Sequence, residues 1–96
     1  MRIRILTQLQ DLQTALVCDA VDCIAQNANT RAYTPLKDWL AQTSVLYALM
    51  ISTGNNTYIK QCLDMFRNFI KPMCDNQTHC TGVEQQLVAM IEATKG

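Results

Sequence analysis

The chain has 96 residues, a length typical of one domain, and its eight basic residues balance eight acidic ones. That balance disfavours direct nucleic-acid binding, because such proteins need a basic surface that displaces counterions from phosphate groups. The longest apolar run covers only residues 45–51, whereas a membrane-spanning helix needs roughly 20 apolar residues. A continuous apolar stretch of the kind found in signal peptides is also missing from the first residues. We therefore expect a cytoplasmic protein with a single domain over residues 1–96.

The composition favours a protein that binds other proteins. Apolar residues make up 49% of the chain, but charged residues make up only 17%, below the roughly 25% of average globular proteins. Nine Gln, six Asn and ten Thr residues supply the remaining polarity. A polar surface with few charges loses its hydration at low cost, and the buried centres of protein interfaces are depleted in charge.

The first predicted element is a helix over residues 4–26. Apolar side chains recur there at spacings of three and four residues, which places them on one helical face. They include Leu9, Leu12, Leu16, Ala20 and Cys23. The beginning of this helix is open, because residues 2–5 alternate Arg and Ile like a strand, and two arginines oppose the helix dipole. A short strand over residues 2–5 is the alternative.

The second and third predicted helices form an antiparallel hairpin. Thr34 and Pro35 suit the first positions of the second helix, and Gly54 suits the left-handed position that ends it. This helix is apolar nearly all round, which predicts a central, buried position. A third helix begins after Asn55 or Asn56, and Pro72 ends it. Its predicted buried face consists of Ile59, Cys62, Leu63, Phe66, Phe69, Ile70 and Met73.

The fourth predicted helix is the last element. Thr81 and Glu84 have the spacing of a capping box, and Val83, Leu87, Met90 and Ile91 share one face beyond it. Four helices with short connections predict an all-α fold, a compact bundle of about four helices with a central antiparallel helical hairpin.

The segment from Cys74 to Cys80 contains the residues best suited to bind a metal. Two thiols and the imidazole of His79 lie within seven residues. Structural zinc sites use four thiolate or imidazole ligands, so Cys18 or Cys23 would have to supply the fourth. The alternative is that these cysteines pack at the edge of the core as small apolar residues. We favour packing and expect no metal and no cofactor.

No assembled group of catalytic residues is visible in the sequence. His79 is the one histidine of the chain, and neither a phosphate-binding loop nor a paired-carboxylate motif is present. A nucleophilic cysteine would also need a base and an oxyanion hole. We therefore expect that the protein is not an enzyme.

The predicted contact surface lies on the outer face of the first helix. Asp11, Asp19 and Asp22 fall within about 80° of each other around that helix, at about 100° per residue. None has a basic residue three or four positions away, so the carboxylates should be free to meet cations on a partner. Tyr33 extends this surface as an exposed aromatic residue, and Met65, off the main stripe of the third helix, offers an alternative apolar contact.

Together these features predict a small non-catalytic protein-binding module. It would act as an inhibitor, adaptor or chaperone by covering a surface of a larger protein or complex, as small proteins encoded by phages and mobile elements do. One alternative is a structural helical module that associates with itself as a homodimer. A less favoured alternative is a thiol or zinc protein that uses Cys74, His79 and Cys80.

Overall fold

Four α-helices make up the computed structural model, which describes residues 2–95. They are α1 (Ile3–Gln26), α2 (Tyr33–Thr53), α3 (Thr57–Met65) and α4 (Gln77–Ala93). A 3₁₀ turn at Thr30–Ala32 precedes α2, while a π turn at Phe66–Ile70 and a 3₁₀ turn at Lys71–Met73 continue α3. The predicted all-α bundle is confirmed. Because α1 begins at Ile3, the alternative of a short strand is wrong. Within residues 2–95, no helix combines the length and apolar character needed to cross a membrane.

The helices pair in two antiparallel sets. The most extensive contact joins α1 to α4, the first helix to the last. Cys23 lies beside Cys80 and Asp19 beside Gly82, so the two helices run in opposite directions. α2 and α3 form the predicted hairpin, whose turn contains Gly54 at a φ of 73°. The Gly54 amide donates to the carbonyl of Met50 at 2.7 Å, which closes α2 as expected for a left-handed glycine.

The core lies where these two pairs meet. Trp39 is almost completely buried, and its indole N–H donates to the Cys62 carbonyl at 3.1 Å. Its ring lies 4.9 Å from that of Phe66, so α2 and α3 are joined by an aromatic contact as well as a hydrogen bond. The largest fully buried side chains also include Leu9, Leu16, Leu36, Met50, Ile59, Leu87 and Met90.

α2 is less buried than its sequence predicts. Its buried residues are Leu36, Trp39, Thr43 and Met50, and the partly buried Leu40, Leu46, Tyr47 and Ile51 also pack against the core. Val45 is 61% exposed on the opposite face. The prediction of a helix buried nearly all round is therefore wrong, because α1 and α4 pack against each other and leave the outer side of α2 uncovered.

A wide turn changes the side-chain register at the end of α3. The Lys71 amide donates to the carbonyl of Phe66, five residues earlier, instead of to the residue four earlier. Pro72 has no N–H to continue the regular pattern, which explains why the helix changes here. Phe69, which the regular spacing places on the buried face, is 68% exposed, whereas Ile70 is buried.

Two helix starts differ from the sequence prediction. The backbone turns before α2 through Thr30–Ala32, with Asn29 accepting from the Arg31 amide, so Thr34 is not the cap of α2. α4 starts four residues before Thr81, and Asn76 caps it by accepting from the His79 amide at 3.2 Å. The capping box at Thr81 is therefore wrong, and the extra turn places His79 and Cys80 inside α4.

Replacing Asn76 by alanine should lower the free energy of unfolding by about 1 kcal/mol, because the first amides of α4 lose their acceptor. Thr81→Ala is the matched control, since Thr81 lies within the helix and is exposed; it should change stability by less than about 0.5 kcal/mol. Urea denaturation of both variants measures the difference. A larger loss in Thr81→Ala than in Asn76→Ala would contradict the observed helix start.

Candidate functional site

Hydrogen bonds between two loops fix the geometry of the region where α1 ends and α4 begins. The Asn27 side chain accepts from the amides of Asn29 and Asp75, at 3.2 and 3.4 Å. The Asn29 amide also donates to the Asp75 carboxylate at 3.0 Å, and the Asn76 amide group donates to Gln26 at 2.8 Å. These bonds connect the loop after α1 to the loop before α4. As a result, Cys74 and the first turn of α4 are held against the last turns of α1.

A polar cluster, formed by Asp19, Asp22 and His79, lies on the partly exposed side of this region. His79 Nδ1 is 3.0 Å from Asp19 Oδ1 and 3.8 Å from Asp22 Oδ2. Gln86 Nε2 donates to the other Asp19 oxygen at 3.2 Å. The two acids that lack partners within α1 therefore meet His79 of α4, which is 60 positions from Asp19. Because these two carboxylates already contact His79, they are less available to cations on a partner protein.

Gly82 makes room for the Asp19 carboxylate within the helix pair. A Cβ atom at Gly82 would overlap the nearer carboxylate oxygen and would lie 2.9 Å from Asp19 Cγ. Any side chain at this position would therefore push Asp19 away from His79 and Gln86. The glycine, which is otherwise unfavourable inside a helix, allows the carboxylate to lie directly over the backbone of α4.

The polar cluster has donor atoms that a cation could use. Asp19, Asp22 and His79 each offer one atom, and the three atoms lie within 4.8 Å of one another. In the structure, however, the imidazole bonds to Asp19, and Gln86 bonds to the second oxygen of the same carboxylate. We interpret the cluster as a polar link between α1 and α4.

A thiol cluster, formed by Cys23, Cys74 and Cys80, lies on the buried side of the same region. All three side chains are buried, with 1%, 6% and 0% of their surface exposed. The sulfurs of Cys23 and Cys80 are 3.9 Å apart. Cys74 belongs to the same buried core, and its ionisation depends on both of these thiols. α1 and the first turn of α4 thus bring two sulfur atoms together, and the loop before α4 contributes the buried Cys74.

The thiols influence one another's ionisation. A hydrogen bond from Cys23, and a weaker one from Cys80, lower the pKa of Cys74 to about 7, although burial opposes this. The pKa of Cys23 is raised, first because its proton is engaged with Cys74 and then by burial. Burial, followed by the hydrogen bond with Cys74, raises the pKa of Cys80 to about 12. The first negative charge of the cluster therefore resides mainly on Cys74, stabilised by two protonated neighbours.

The predicted set of Cys74, His79 and Cys80 is divided between the two clusters. His79 turns to the carboxylates, whereas Cys74 and Cys80 are buried, and Cys80 contacts Cys23. The remaining cysteines are elsewhere: Cys18 is exposed, and the buried Cys62 thiol donates to the Tyr58 carbonyl at 3.3 Å. The sequence offered Cys18 or Cys23 as a companion of Cys74 and Cys80, and the helical register of α1 places Cys23 on the buried face.

The other predicted contact residues do not gather at this site. Asp11 is exposed on α1, about 12 Å along the helix axis from Asp19 at 1.5 Å per residue. Tyr33 is 49% exposed at the start of α2, and Lys37 Nζ lies 5.0 Å from the centre of its ring. Met65 is partly buried and packs against the core, so it is less exposed than predicted. The structure brings Asp19 and Asp22 together at His79, and it places Tyr33 beside Asn27 and Asn29 in the loop after α1.

An open groove between the end of α3 and α4 was not anticipated. It has a volume of about 430 Å³, and Arg67, Lys71 and Glu84 lie along it. Arg67 Nε and Lys71 Nζ approach the two carboxylate oxygens of Glu84 at 2.8 and 2.5 Å. Burial alone would raise the pKa of Glu84, but hydrogen bonds from these cations outweigh burial and lower it. Arg67 and Lys71 share the single negative charge of Glu84, so these three side chains leave the groove with a net charge of about +1.

Gly82→Ala should destabilise the protein by about 1 to 2 kcal/mol, because Asp19 must leave its hydrogen bonds with His79 and Gln86. Within helices this change normally stabilises, by about 1 kcal/mol. In an Asp19→Ala background the overlap disappears, so Gly82→Ala should then be stabilising. A double-mutant cycle measured by urea denaturation tests this change of sign. An equal effect of Gly82→Ala in both backgrounds would contradict the proposed contact.

The reduced, metal-free protein should become more stable as pH rises from about 7 to about 9, by on the order of 1 kcal/mol. Cys74 has a folded pKa of about 7 against an ordinary 9.0, so the folded state holds fewer protons than the unfolded state in this window. Above pH 9.0, the ordinary thiol pKa, stability should fall again. Cys23 and Cys80 then lose their protons in the unfolded state, whereas their raised pKa values keep them protonated in the folded state. Denaturation at several pH values measures the profile. Cys74→Ser should remove the rise and Cys18→Ser should retain it; a rise that survives Cys74→Ser would contradict the assignment.

Comparison with known proteins does not identify a family. No family model matches the chain, and neither the curated proteins nor the solved structures include a significant match. A function has to be argued from the chemistry of the surfaces and clusters described above.

Proposed function

We propose that this protein is a small, non-catalytic binding module that covers a surface of a larger protein, and that it binds through the outer face of α2. The observation that carries the proposal is the absence of charge on this long, exposed and partly apolar face. The α2 outer face consists of Ala41, Gln42, Ser44, Val45, Ala48, Leu49, Ser52 and Thr53, all exposed.

The α2 outer face is suited to close apolar contact. Val45 and Leu49 are 61% and 38% exposed. Ala41, Val45 and Ala48 lie within about 60° around the helix, at about 100° per residue. The side chains beside them are small or uncharged, so a partner can approach the backbone closely. Removing such a surface from water requires no desolvation of charge, in keeping with the depletion of charge at interface centres.

The charge distribution along the chain strengthens this choice. Between Asp38 and Lys60 the sequence contains no charged residue. An average chain with 17% charged residues would carry several over this length. The partner that fits best is an uncharged helix or groove with exposed apolar side chains. Without charges to accelerate encounter, association should proceed at an ordinary protein–protein rate and depend weakly on salt.

The acidic face of α1 is a weaker candidate for the same role. Asp19 and Asp22 are engaged with His79, and Asp19 also with Gln86. Asp11 and Tyr33 remain exposed, so they can contribute polar contacts at the edge of a complex. Met65 is half-buried and offers less apolar surface than Val45.

A non-catalytic role is consistent with the arrangement of the reactive side chains. Within residues 2–95, no hydrogen bond connects His79 to a cysteine thiol, and the three clustered thiols are buried. A cysteine nucleophile needs a neighbouring base and access to substrate. The imidazole instead bonds to carboxylates of α1, where it links two helices.

Val45→Glu should weaken binding of the natural partner at least about tenfold, which corresponds to about 1.4 kcal/mol, because it places a charge at the centre of the interface. Val21→Glu is the matched control, since Val21 is 48% exposed on α1. Both variants should keep their stability within about 0.5 kcal/mol. Quantitative mass spectrometry of proteins retained by the wild-type bait identifies the partner, and titration calorimetry with the purified partner then gives the affinities of the wild type and both variants.

Equal affinity of the Val45→Glu protein and the wild type for that partner would overturn the proposed surface. Sedimentation equilibrium separates the alternative of self-association. If the wild-type protein forms a dimer that Val45→Glu dissociates, the α2 outer face joins two copies of this chain, and the module is structural rather than an adaptor or inhibitor.

A further inference from the structure

The polar cluster of Asp19, Asp22 and His79 contains the ligand types of a metal site. One atom from each side chain, namely a ring nitrogen and two carboxylate oxygens, lies within 4.8 Å of the other two. α1 supplies both carboxylates and α4 supplies the imidazole, so the helix pairing assembles the group. Of the three residues that the sequence offered as metal ligands, only His79 belongs to it. The imidazole distinguishes the cluster from an ordinary group of surface acids.

The distances between the donor atoms fit shared coordination. Ligand atoms at about 2.1 Å from one ion lie about 3.0 to 3.4 Å apart for octahedral or tetrahedral angles. His79 Nδ1 is 3.0 Å from Asp19 Oδ1, within that range, and 3.8 Å from Asp22 Oδ2. Asp22 lies one helical turn from Asp19 and its side chain is 47% exposed, so a small rotation closes the remaining gap.

The charge of the cluster favours a divalent cation. Two carboxylates face one imidazole, so even a protonated ring leaves one negative charge without compensation. Within residues 2–95, neither carboxylate forms an ion pair with a lysine or an arginine, whereas Glu84 pairs with two such cations. A divalent ion beside a neutral imidazole brings the total charge of the site to zero.

The surroundings hold the ligands in place and leave one side open. Gln86 Nε2 donates to Asp19 Oδ2 at 3.2 Å, which leaves Oδ1 for the ion. Hydrogen bonds from outside the ligand set orient metal ligands in this way. Gly82 leaves the space over α4 that the Asp19 carboxylate occupies. The side chains of Asp19 and His79 are 24% and 23% exposed, so an ion can enter and water can fill its remaining coordination positions.

The donor set indicates the class of metal. Calcium takes about six to eight oxygen ligands, and magnesium usually combines carboxylates with waters and phosphates. Imidazole instead suits zinc and other divalent transition metals. Three protein ligands with nitrogen and oxygen atoms, completed by water, are typical of zinc sites that keep an open position. The thiol cluster lies on the buried side of the same helices and contributes no ligand.

We propose that Asp19, Asp22 and His79 bind one divalent transition-metal ion, best matched by zinc, through Asp19 Oδ1, Asp22 Oδ2 and His79 Nδ1. The ion replaces the proton between Nδ1 and Asp19, and the neutral ring keeps its proton on Nε2. Binding therefore strengthens the link between α1 and α4. The site is separate from the α2 outer face, so each of the two proposals can fail without the other.

The test is a zinc titration of the reduced, tag-free protein, labelled with nitrogen-15 and observed by NMR. His79 is the one histidine of the chain, so its ring signals need no further assignment. We expect one zinc ion per chain, a shift of the Nδ1 signal and an increase in Tm. A parallel titration with Co²⁺ should give weak visible bands without the near-ultraviolet charge-transfer band that thiolate ligands produce.

Two substitutions on α1 provide a variant and its matched control. Asp22→Ala removes one ligand but leaves the bonds of Asp19 to His79 and Gln86 intact. It should weaken zinc binding at least about tenfold, because even the loss of an outer-shell contact typically costs about 10- to 100-fold. Asp11→Ala removes the same charge from an exposed position of α1 and should bind zinc as the wild type does. Circular dichroism of each metal-free variant verifies its fold.

Undiminished zinc binding by Asp22→Ala, or zinc binding by the wild type without a shift of the His79 signals, would overturn the site. Equal losses in Asp11→Ala and Asp22→Ala would also overturn it, because the effect would then be one of overall charge. A thiolate band with the first equivalent of Co²⁺ would place the ion at the cysteines instead. No binding of either ion would show that the polar cluster is only a hydrogen-bonded link.

Discussion

The antiparallel contact between α1 and α4 is the constraint on which the rest of the structure depends. It joins the first helix to the last, and it consists of a polar part and a buried thiol part. Asp19 lies over Gly82 and bonds to His79 and Gln86, while Cys23 meets Cys80 one turn further along. Because a side chain at position 82 would displace the Asp19 carboxylate, the polar part of this contact depends on one glycine. The hairpin of α2 and α3 packs against this pair.

Two chemically different clusters lie back to back at that contact. His79 and Cys80 are consecutive residues on α4, yet one faces carboxylates and the other faces thiols. A hard, partly hydrated environment and a soft, dry environment are thus only one residue apart. The inter-loop bonds around Asn27 hold Cys74 in register with both helices. Both clusters are therefore separate from the uncharged outer face of α2. A substitution in one of these two regions can leave the other intact.

The sequence located the four helices because the apolar spacing that defines them is local. Gly54 was predictable for the same reason, since a left-handed glycine closes a helix through a bond to a near neighbour. The cap at Thr34 was wrong because a 3₁₀ turn capped by Asn29 leads directly into α2, which has no side-chain cap of its own. The cap at Thr81 was wrong because Asn76 caps α4, and Asn29 and Asn76 are each bonded to residues distant in sequence. Phe69 was assigned to the core because a regular helix puts it there, and the π turn before Pro72 rotates it outward.

The candidate site was predictable only in part. Cys74, His79 and Cys80 attract attention by their proximity in sequence. Their division into two clusters depends on residues of α1, because Asp19 meets His79 and Cys23 meets Cys80. Asp19 lies 60 positions from His79, so periodicity contains no signal that they pair. The prediction that Asp19 and Asp22 have no ionic partner considered only the neighbouring residues of α1. The outer face of α2 was mistaken for buried surface because apolar composition does not reveal whether a neighbouring helix covers it.

The antiparallel pairing of α1 and α4 has a topological consequence. The beginning of α1 and the end of α4 lie at the same end of the molecule, while the turn at Gly54 and Asn55 is exposed and makes local contacts. Folds with neighbouring termini and an exposed turn generally tolerate circular permutation. The chain can therefore be reordered as α3–α4–α1–α2 with a short linker, which turns the longest-range helix contact of the natural order into a local hairpin.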